Sequence, residues 1–533
     1  MKRGYVPHEM SNALHTFSRA PQANIPRSTF NRSHGHKTTF NAGYLIPVYV
    51  DEALPGDTFN LHMHAFARMA TPLVPIMDNL VLESFFFAVP YRLVWENWER
   101  FNGSQDDPGD STDYTIPTLS SGLGFPNGNL EDYFGMPCQI ANITVNALHH
   151  RAYNLIWNEW FRDQNLQDSL VVQTDDGPDT LSNYNIVRRG KRYDYFTSCL
   201  PFPQKGPSVE LPLGTFAPIV SDVNLPTPGT GIPTFDGSGS GTNQSLNVPS
   251  PSNVVASALG TLSWHTSSLV ADLTTATAAT INQLRQAFQL QKLYERDARG
   301  GTRYTEIIRS HFGVISPDMR LQRPEYLGGG YSPVIINPIA QTAPKVTSAT
   351  SSLGDLGAYG ICTVQGHGFT KSFTEHCLIL GMVCVRADLT YQQGLNRMFS
   401  RQTRFDYYWP ALSHIGEQAV LNQEIYAQGT SDDTGVFGYQ ERYAEYRYKP
   451  SIVTGAFNSN SGTPVDFWHL AQQFTSLPLL NDEFIQENPP MGRILAVTDD
   501  EEFYNHFLFD SFFSLQCARP MPVYSVPGLV DHF

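Results

Sequence analysis

Charge is what this sequence has least of. Asp, Glu, Lys and Arg make up 16% of the 533 residues, against roughly 25% in ordinary soluble domains, while aromatic residues reach 12%. A surface so poor in charge and rich in rings suits a lone monomer badly, so much of it is expected to be covered by further copies or partners. Cysteine is also scarce. The six residues (Cys138, Cys199, Cys362, Cys377, Cys384, Cys517) include no CxxC pair. That removes the zinc-finger and thioredoxin-like readings and leaves free, mostly buried thiols of a protein made in a reducing cytosol. No run of about eighteen apolar residues exists, so no membrane insertion is expected. The opening stretch "MKRGYVPHEMSNALHTFSRA" has no apolar core of signal-peptide length, and assembly in the cytoplasm is the expectation.

Catalytic motifs are missing as well. "YLGGG" and "DARGGTRY" hold glycines without the Gly-Lys-Ser/Thr that cradles phosphate. "GSGSG" (237–241) has glycine where a nucleophile elbow needs serine, and no HExxH occurs. His34/His36 and His62/His64 are His-x-His pairs, whose rings share a face on a strand. Neither pair has a third ligand nearby in sequence, so solvated or interface histidines are expected, with no metal and no cofactor. Asp106/Asp107 and Asp500/Glu501 sit in apparent loops, and sequence does not give the separation that would make a glycosidase pair. No catalytic residue is nominated and no enzyme is expected.

What is present is mostly β pattern. "GYLIPVYV" (43–50) is rich in strand formers and precedes the turn "LPGD". In "TFNLHMHAFARM" (58–69), Phe59, Leu61, Met63, Ala65 and Ala67 alternate with Asn60, His62, His64 and Arg68, which predicts a half-buried strand. "LVLESFFFAVP" (80–90) reads as a strand buried on both faces. "EHCLILGMVCVRADLTY" (375–391), "GRILAVT" (492–498) and "FYNHFLFDSFFSLQC" (503–517) extend the pattern. Helical spacing appears over 91–101, 146–165 and 280–301, the last with Ile281, Leu284, Phe288 and Leu293 as a stripe and Gly300 as a stop. Strands at both ends with long connections between them fit one mainly-β sandwich with large, partly helical insertions.

Two segments stand out by charge. From Gly206 to Leu284 there is no Lys or Arg and only four acids, in a Pro/Gly/Ser/Thr-rich run that is either a surface protrusion or a flexible linker. Residues 1–40 behave oppositely. They hold Lys2, Arg3, Arg19, Arg27, Arg32 and Lys37 against Glu9, a net of +5 that leaves −20 on the rest of the chain. Cations interspersed with Phe17, Phe30 and Phe40 suit single-stranded nucleic acid, phosphate to charge and base to ring, and these six cations are the candidate binding residues. "RRGKRY" (188–193) is a second basic cluster, for which a subunit contact or structural loop is expected ahead of nucleic acid.

Long blocks in order resemble gokushovirus (Microviridae) major capsid proteins. They are "RSTFNRSHGHKTTFNAGYLIPVYVDEALPGDTF" (27–59), "RGKRYDYFTSCLPFPQKG" (189–206), "GGTRYTEIIRSHFGVISPDMRLQRPEYLGG" (300–329), "DYYWPALSHIGEQAVLNQEIYAQG" (406–429), "FGYQERYAEYRYKPS" (437–451), "WHLAQQF" (468–474) and "ARPMPVYSVPGLVDHF" (518–533). The resemblance implies a single eight-stranded viral jelly roll that assembles into a T=1 icosahedral shell around circular single-stranded DNA. It divides the chain into a basic inward-facing arm (1–40) and a jelly-roll domain (41–533). The domain includes a variable insertion (207–279) at threefold protrusions and an extended tail (518–533). An internal scaffolding protein, a DNA pilot protein and a host surface receptor are further partners it implies. A bacterial β-sandwich carbohydrate-active enzyme or carbohydrate-binding protein is the competing expectation.

Overall fold

The structure, a computed structural model, describes residues 26–207, 209, 219–221, 235–237, 262–264, 269–271, 281–300, 306, 310–311, 322–342, 354–496 and 505–524. Two compact units divide the chain: Met1–Pro203 with Ser316–Phe533, and Gln204–Ile315.

In the larger unit, alternation of apolar and polar residues builds two antiparallel sheets. The strands are β1 (Ser28–Asn31), β2 (His34–Phe40), β3 (Ile46–Ala53), β4 (Thr58–Met69), β5 (Leu80–Pro90), β6 (Glu325–Pro333), β7 (Ile335–Ala340), β8 (Leu356–Ser372), β9 (Cys377–Ala387) and β10 (Phe507–Arg519). The first sheet runs β1–β10–β4–β8–β7, with β2 also on β10; the second runs β6–β5–β9–β3. First and last strands are therefore neighbours, and consecutive strands such as β3 and β4 lie in opposite sheets, the exchange that makes a jelly-roll sandwich. The two sheets together hold ten strands. β1 and β2 share one edge position, pairing with Gln516–Arg519 and Phe507–Phe513 respectively, and β7 adds an outer strand beside β8.

The alternating residues of β4 fall as their pattern predicts: Phe59, Leu61, Met63, Ala65 and Ala67 are buried, and Asn60, His62, His64, Phe66 and Arg68 are exposed. They meet Phe86, Ile379, Val383, Phe509, Phe513 and Leu515 in the core between the sheets. The sheets close on each other at β6 and β8 because glycine permits it. A Cβ on Gly328 would lie 2.4 Å from the Gly368 carbonyl oxygen across the sheets, and within the first sheet one on Gly368 would lie 2.0 Å from that of Leu61.

β5 and β9 are buried on both faces for a separate reason. Their outward residues Phe87, Val89, Leu378, Leu380 and Met382 pack under Trp95, Phe125, Leu148, Tyr153 and Tyr184 of the 91–187 connection. Helix α1 (Leu148–Ile156) anchors that cover and runs on as a π turn, Trp157–Phe161. Arg151 on α1, fully buried, spends its donors on Asp179, Asp175 and the Val94 carbonyl. A third cluster, around Tyr391, Val420, Phe437 and Phe484, organises residues 389–487, with an antiparallel hairpin of Glu417–Leu421 and Val436–Glu441.

Three expectations differ in this unit. Residues 91–101 form a 3-10 turn (Tyr91–Leu93) and a helical turn (Trp98–Phe101) rather than one helix. In 492–498, expected as a strand, Met491–Arg493 is a 3-10 turn and Leu495 makes a lone bridge to Pro72, while 497–498 lie outside the described residues. Met491, Ile494 and Leu495 are buried in the main core, so their apolar run serves a turn that plugs it rather than a ladder. The third concerns β1 and β2, which occupy part of the stretch read as an arm.

In the smaller unit, Ile219–Ser221 pairs with Leu269–Ala271 and Phe235–Gly237 with Leu262–Trp264. Helix α2 (Ile281–Gly300) ends at the expected glycine. Phe288 and Leu293, expected to be buried along its stripe, are exposed. Most of the 207–279 segment and the end of the 518–533 tail lie outside the described residues.

Candidate nucleic-acid interface and subunit-contact surface

Lys2, Arg3 and Arg19 lie outside the described residues. The other three candidate cations sit at the sheet edge, and the structure does not gather them into one site. Arg27 donates to the Thr58 hydroxyl at 2.5 Å. Arg32, in the break between β1 and β2, makes a bidentate pair with Asp51 of β3 at 2.7 and 2.9 Å. The Tyr49 hydroxyl donates to the same carboxylate at 2.8 Å. Burial and then the Asp51 charge hold that phenol far above its ordinary range. Arg32 thus ties one sheet to the other. Lys37 faces outward, 78% exposed, beside Asp510 at 3.0 Å. Ion pairs this exposed are worth about 0–1 kcal/mol, so Lys37 is free to exchange partners.

The histidine pairs part company. His34, exposed at the start of β2, stacks on Tyr49 and Phe513 at 5.8 and 5.4 Å. Burial lowers the pKa of His36, and so does the neighbouring His34. His62 and His64 are on the exposed face of β4. Among the described residues no group of three His, Cys, Asp or Glu could hold a metal ion.

The "RRGKRY" cluster is largely structural. Arg188 lies 4.1 Å over the Tyr44 ring and donates to the carbonyls of Ala42 and Glu487. Arg189 pairs with Glu83, which also accepts from Arg386 at 2.8 Å. Burial works against the Glu83 carboxylate, yet Arg189 and Arg386 hold its pKa below the ordinary value. Lys191 donates to Gln472 at 3.0 Å and lies over Phe484; desolvation brings its pKa down to about 8. Arg192 remains 63% exposed.

The most interface-like surface was not singled out by sequence reasoning. Residues 397–409 expose Met398, Phe399, Phe405, Tyr407, Tyr408 and Trp409, with Phe399 70% exposed. Arg401 stacks on Tyr446 at 4.2 Å and Arg404 on Trp409 at 4.6 Å. Arg401 is also held by Glu445, and Arg397 by Glu424 at 2.8 Å. Exposed rings braced by arginine are the composition of protein–protein hot spots. The visible signal was the interleaving in "FSRQTRFDYYW" (399–409). A smaller apolar strip, Ile335 and Ile339 of β7 with Tyr359 of β8, lies along the free edge of the first sheet.

No helix among the described residues is long and apolar enough to cross a membrane. The family model described as capsid protein (F protein) matches residues 18–529. The chain is 49% identical over 531 residues to capsid protein VP1 of Bdellovibrio phage phiMH2K, covering 97% of this chain and 98% of that one. It is 43% identical over 596 residues to capsid protein VP1 of Chlamydia phage 1, and 36% identical over 547 residues to that of Spiroplasma virus 4, with 98% of both chains covered in each case. Those relatives are structural proteins, which sets aside the carbohydrate-active reading. With its two-sheet sandwich and its exposed aromatic loops, the chain belongs to the phage capsid protein (F protein) family, as a structural capsid subunit of gokushovirus-like Microviridae.

Proposed function

We propose that the subunit self-assembles into a T=1 icosahedral shell that packages circular single-stranded DNA, in the cytoplasm of a host bacterium. The observation that carries this reading is similarity over nearly the whole chain to capsid proteins of small phages, joined to a subunit that leaves a cluster of rings exposed at 397–409. The arginine-braced surface of 397–409 supplies the main contact between copies. The genome meets the N-terminal cations, of which Lys2, Arg3, Arg19, Arg27 and Lys37 neutralise phosphate while Arg32 holds the sheet junction. A net of +5 on residues 1–40 beside −20 on the remainder supports this division, because the acidic body repels DNA. An internal scaffolding protein and a DNA pilot protein complete the assembly. The charge-poor 207–279 segment, with four acids and no Lys or Arg, faces outward at threefold protrusions and contributes to host attachment.

Two measurements test this. Electron microscopy and nuclease protection of purified particles are expected to find closed shells holding single-stranded DNA; a chain that stays monomeric in the presence of scaffolding protein contradicts the reading. Deleting 226–253 is expected to leave shells intact and impair adsorption to cells; normal adsorption contradicts the attachment role.

A further inference from the structure

Beside the π turn Trp157–Phe161 a cleft of about 450 Å3 opens against the Arg189–Tyr193 segment. That volume falls in the range of small-ligand sites, about 300–1,000 Å3. Its walls carry four cations, Arg162, Arg189, Lys191 and Arg192, and one acid, Asp163, in a chain of net charge −15. Asp163 is already engaged, accepting from the Tyr193 hydroxyl at 3.3 Å. Arg189 is committed to Glu83. The others have capacity left. Arg162 gives one Nη to the Gln167 carbonyl at 3.0 Å, and its buried Nε has no hydrogen-bond partner. Arg192 is exposed, with Glu83 no closer than 4.0 Å. Lys191 is held in a poorly solvated position that a nearby anion relieves.

Two rings border these cations. Tyr193 is 71% and Trp160 39% exposed. Trp160 is fixed by its indole N–H, which donates to the Pro324 carbonyl at 2.9 Å, and Arg323 lies 5.3 Å over it. Fixed, open rings next to unsatisfied cations match the repeating unit of a single strand, in which each phosphate is followed by a stackable base. An acidic loop of a second copy would use the same cations, and the variants below tell the two occupants apart.

We propose that this cleft binds one phosphate–nucleobase unit of single-stranded DNA, with Arg162, Lys191 and Arg192 on the phosphate and Tyr193 or Trp160 stacked on the base. The proposal rests on the genome-packaging reading and names a contact for it outside the N-terminal segment.

The test is fluorescence-anisotropy titration of unassembled full-length subunit with a labelled oligothymidylate across a salt series. Thermal unfolding checks that each variant is folded. Arg192→Glu is expected to weaken binding about ten-fold at low salt and to flatten the log affinity–log salt slope by about 1. Tyr193→Ala is expected to weaken it about ten-fold with the slope unchanged, because stacking releases no counterions. Folded variants that bind like the parent overturn the proposal. So does an Arg192→Glu variant that binds DNA normally but no longer assembles, which assigns the cleft to a second copy. If the parent subunit binds no oligothymidylate, the genome-contact reading falls with the cleft. If the parent binds and only loss of Lys2, Arg3 and Arg19 weakens it, that reading stands and the cleft alone is refuted.

Discussion

Substituting Arg32 by Ala separates a structural cation from a genome-binding one. Arg32 lies in a segment of net charge +5, yet both its Nη groups are on Asp51, whose side chain is 10% exposed against 37% for Arg32. Removing it takes two charge-assisted hydrogen bonds from a mostly buried carboxylate. That carboxylate keeps the Tyr49 hydroxyl and the Glu52 amide as donors. Partial exposure of the arginine discounts the loss, giving about 1–2 kcal/mol, a factor of roughly 5–30 in the folded-to-unfolded ratio. A double-mutant cycle with Asp51→Ala is expected to return a coupling of about 1 kcal/mol, read from urea unfolding midpoints of the unassembled subunit. Arg32→Ala is expected to change the salt slope of single-stranded DNA binding by well under 1, whereas a lost phosphate contact changes it by about 1. Parental stability combined with a slope reduced by about 1 would refute the reasoning.

Other perturbations follow from the same geometry. Asp179→Ala strands the fully buried Arg151 and is expected to cost about 3–5 kcal/mol, while Arg151→Met with Asp179→Leu costs far less than the sum of the single changes; calorimetry of the three variants checks this. Gly368→Ala drives a Cβ into the Leu61 carbonyl and is expected to destabilise by about 3 kcal/mol or to prevent folding, whereas Gly462→Ala, with open space around it, stays close to the parent. Burial lowers the pKa of both His506 and His149 from 6.5 to about 4. The unfolded chain then binds more protons than the folded one between those values, so stability is fully present above about pH 6.5 and falls as pH drops toward 4; a flat urea midpoint over that window contradicts it. Lys191, lowered from 10.5 to about 8 by desolvation, adds stability as pH rises through that window, and Lys191→Met is expected to abolish the rise.

The sandwich was legible where period and burial coincide. Phe59 to Ala67 announced a one-faced strand, and the largely apolar run of 80–90, broken only by Glu83 and Ser84, announced one covered on both sides. The cover itself, built from 91–187, was read only as helices, because packing against Phe87 and Leu378 is a long-range fact. The N-terminal segment was legible as charge alone. Arg32 and Lys37 stood out in composition, but their partners Asp51 and Asp510 come from β3 and β10, and no local pattern links them. His34 stays exposed, in keeping with a solvated histidine, and its stacking on Tyr49 and Phe513 comes from β3 and β10, which no local pattern announces. In "RRGKRY", Arg188 and Arg189 are spent on contacts within the fold, as the structural-loop expectation has it. The arginine-braced rings of 397–409 escaped notice because their meaning depends on exposure, which the sequence does not carry.

The central claim is that this sandwich is a shell subunit whose aromatic loops meet other copies. A cryo-electron microscopy reconstruction of particles purified from the host tests it most directly. The account predicts a closed isometric shell built from this chain, with Phe399, Tyr407 and Trp409 buried against a neighbouring copy. A particle in which those three rings face solvent on every copy, or a shell built from a different chain, would contradict it.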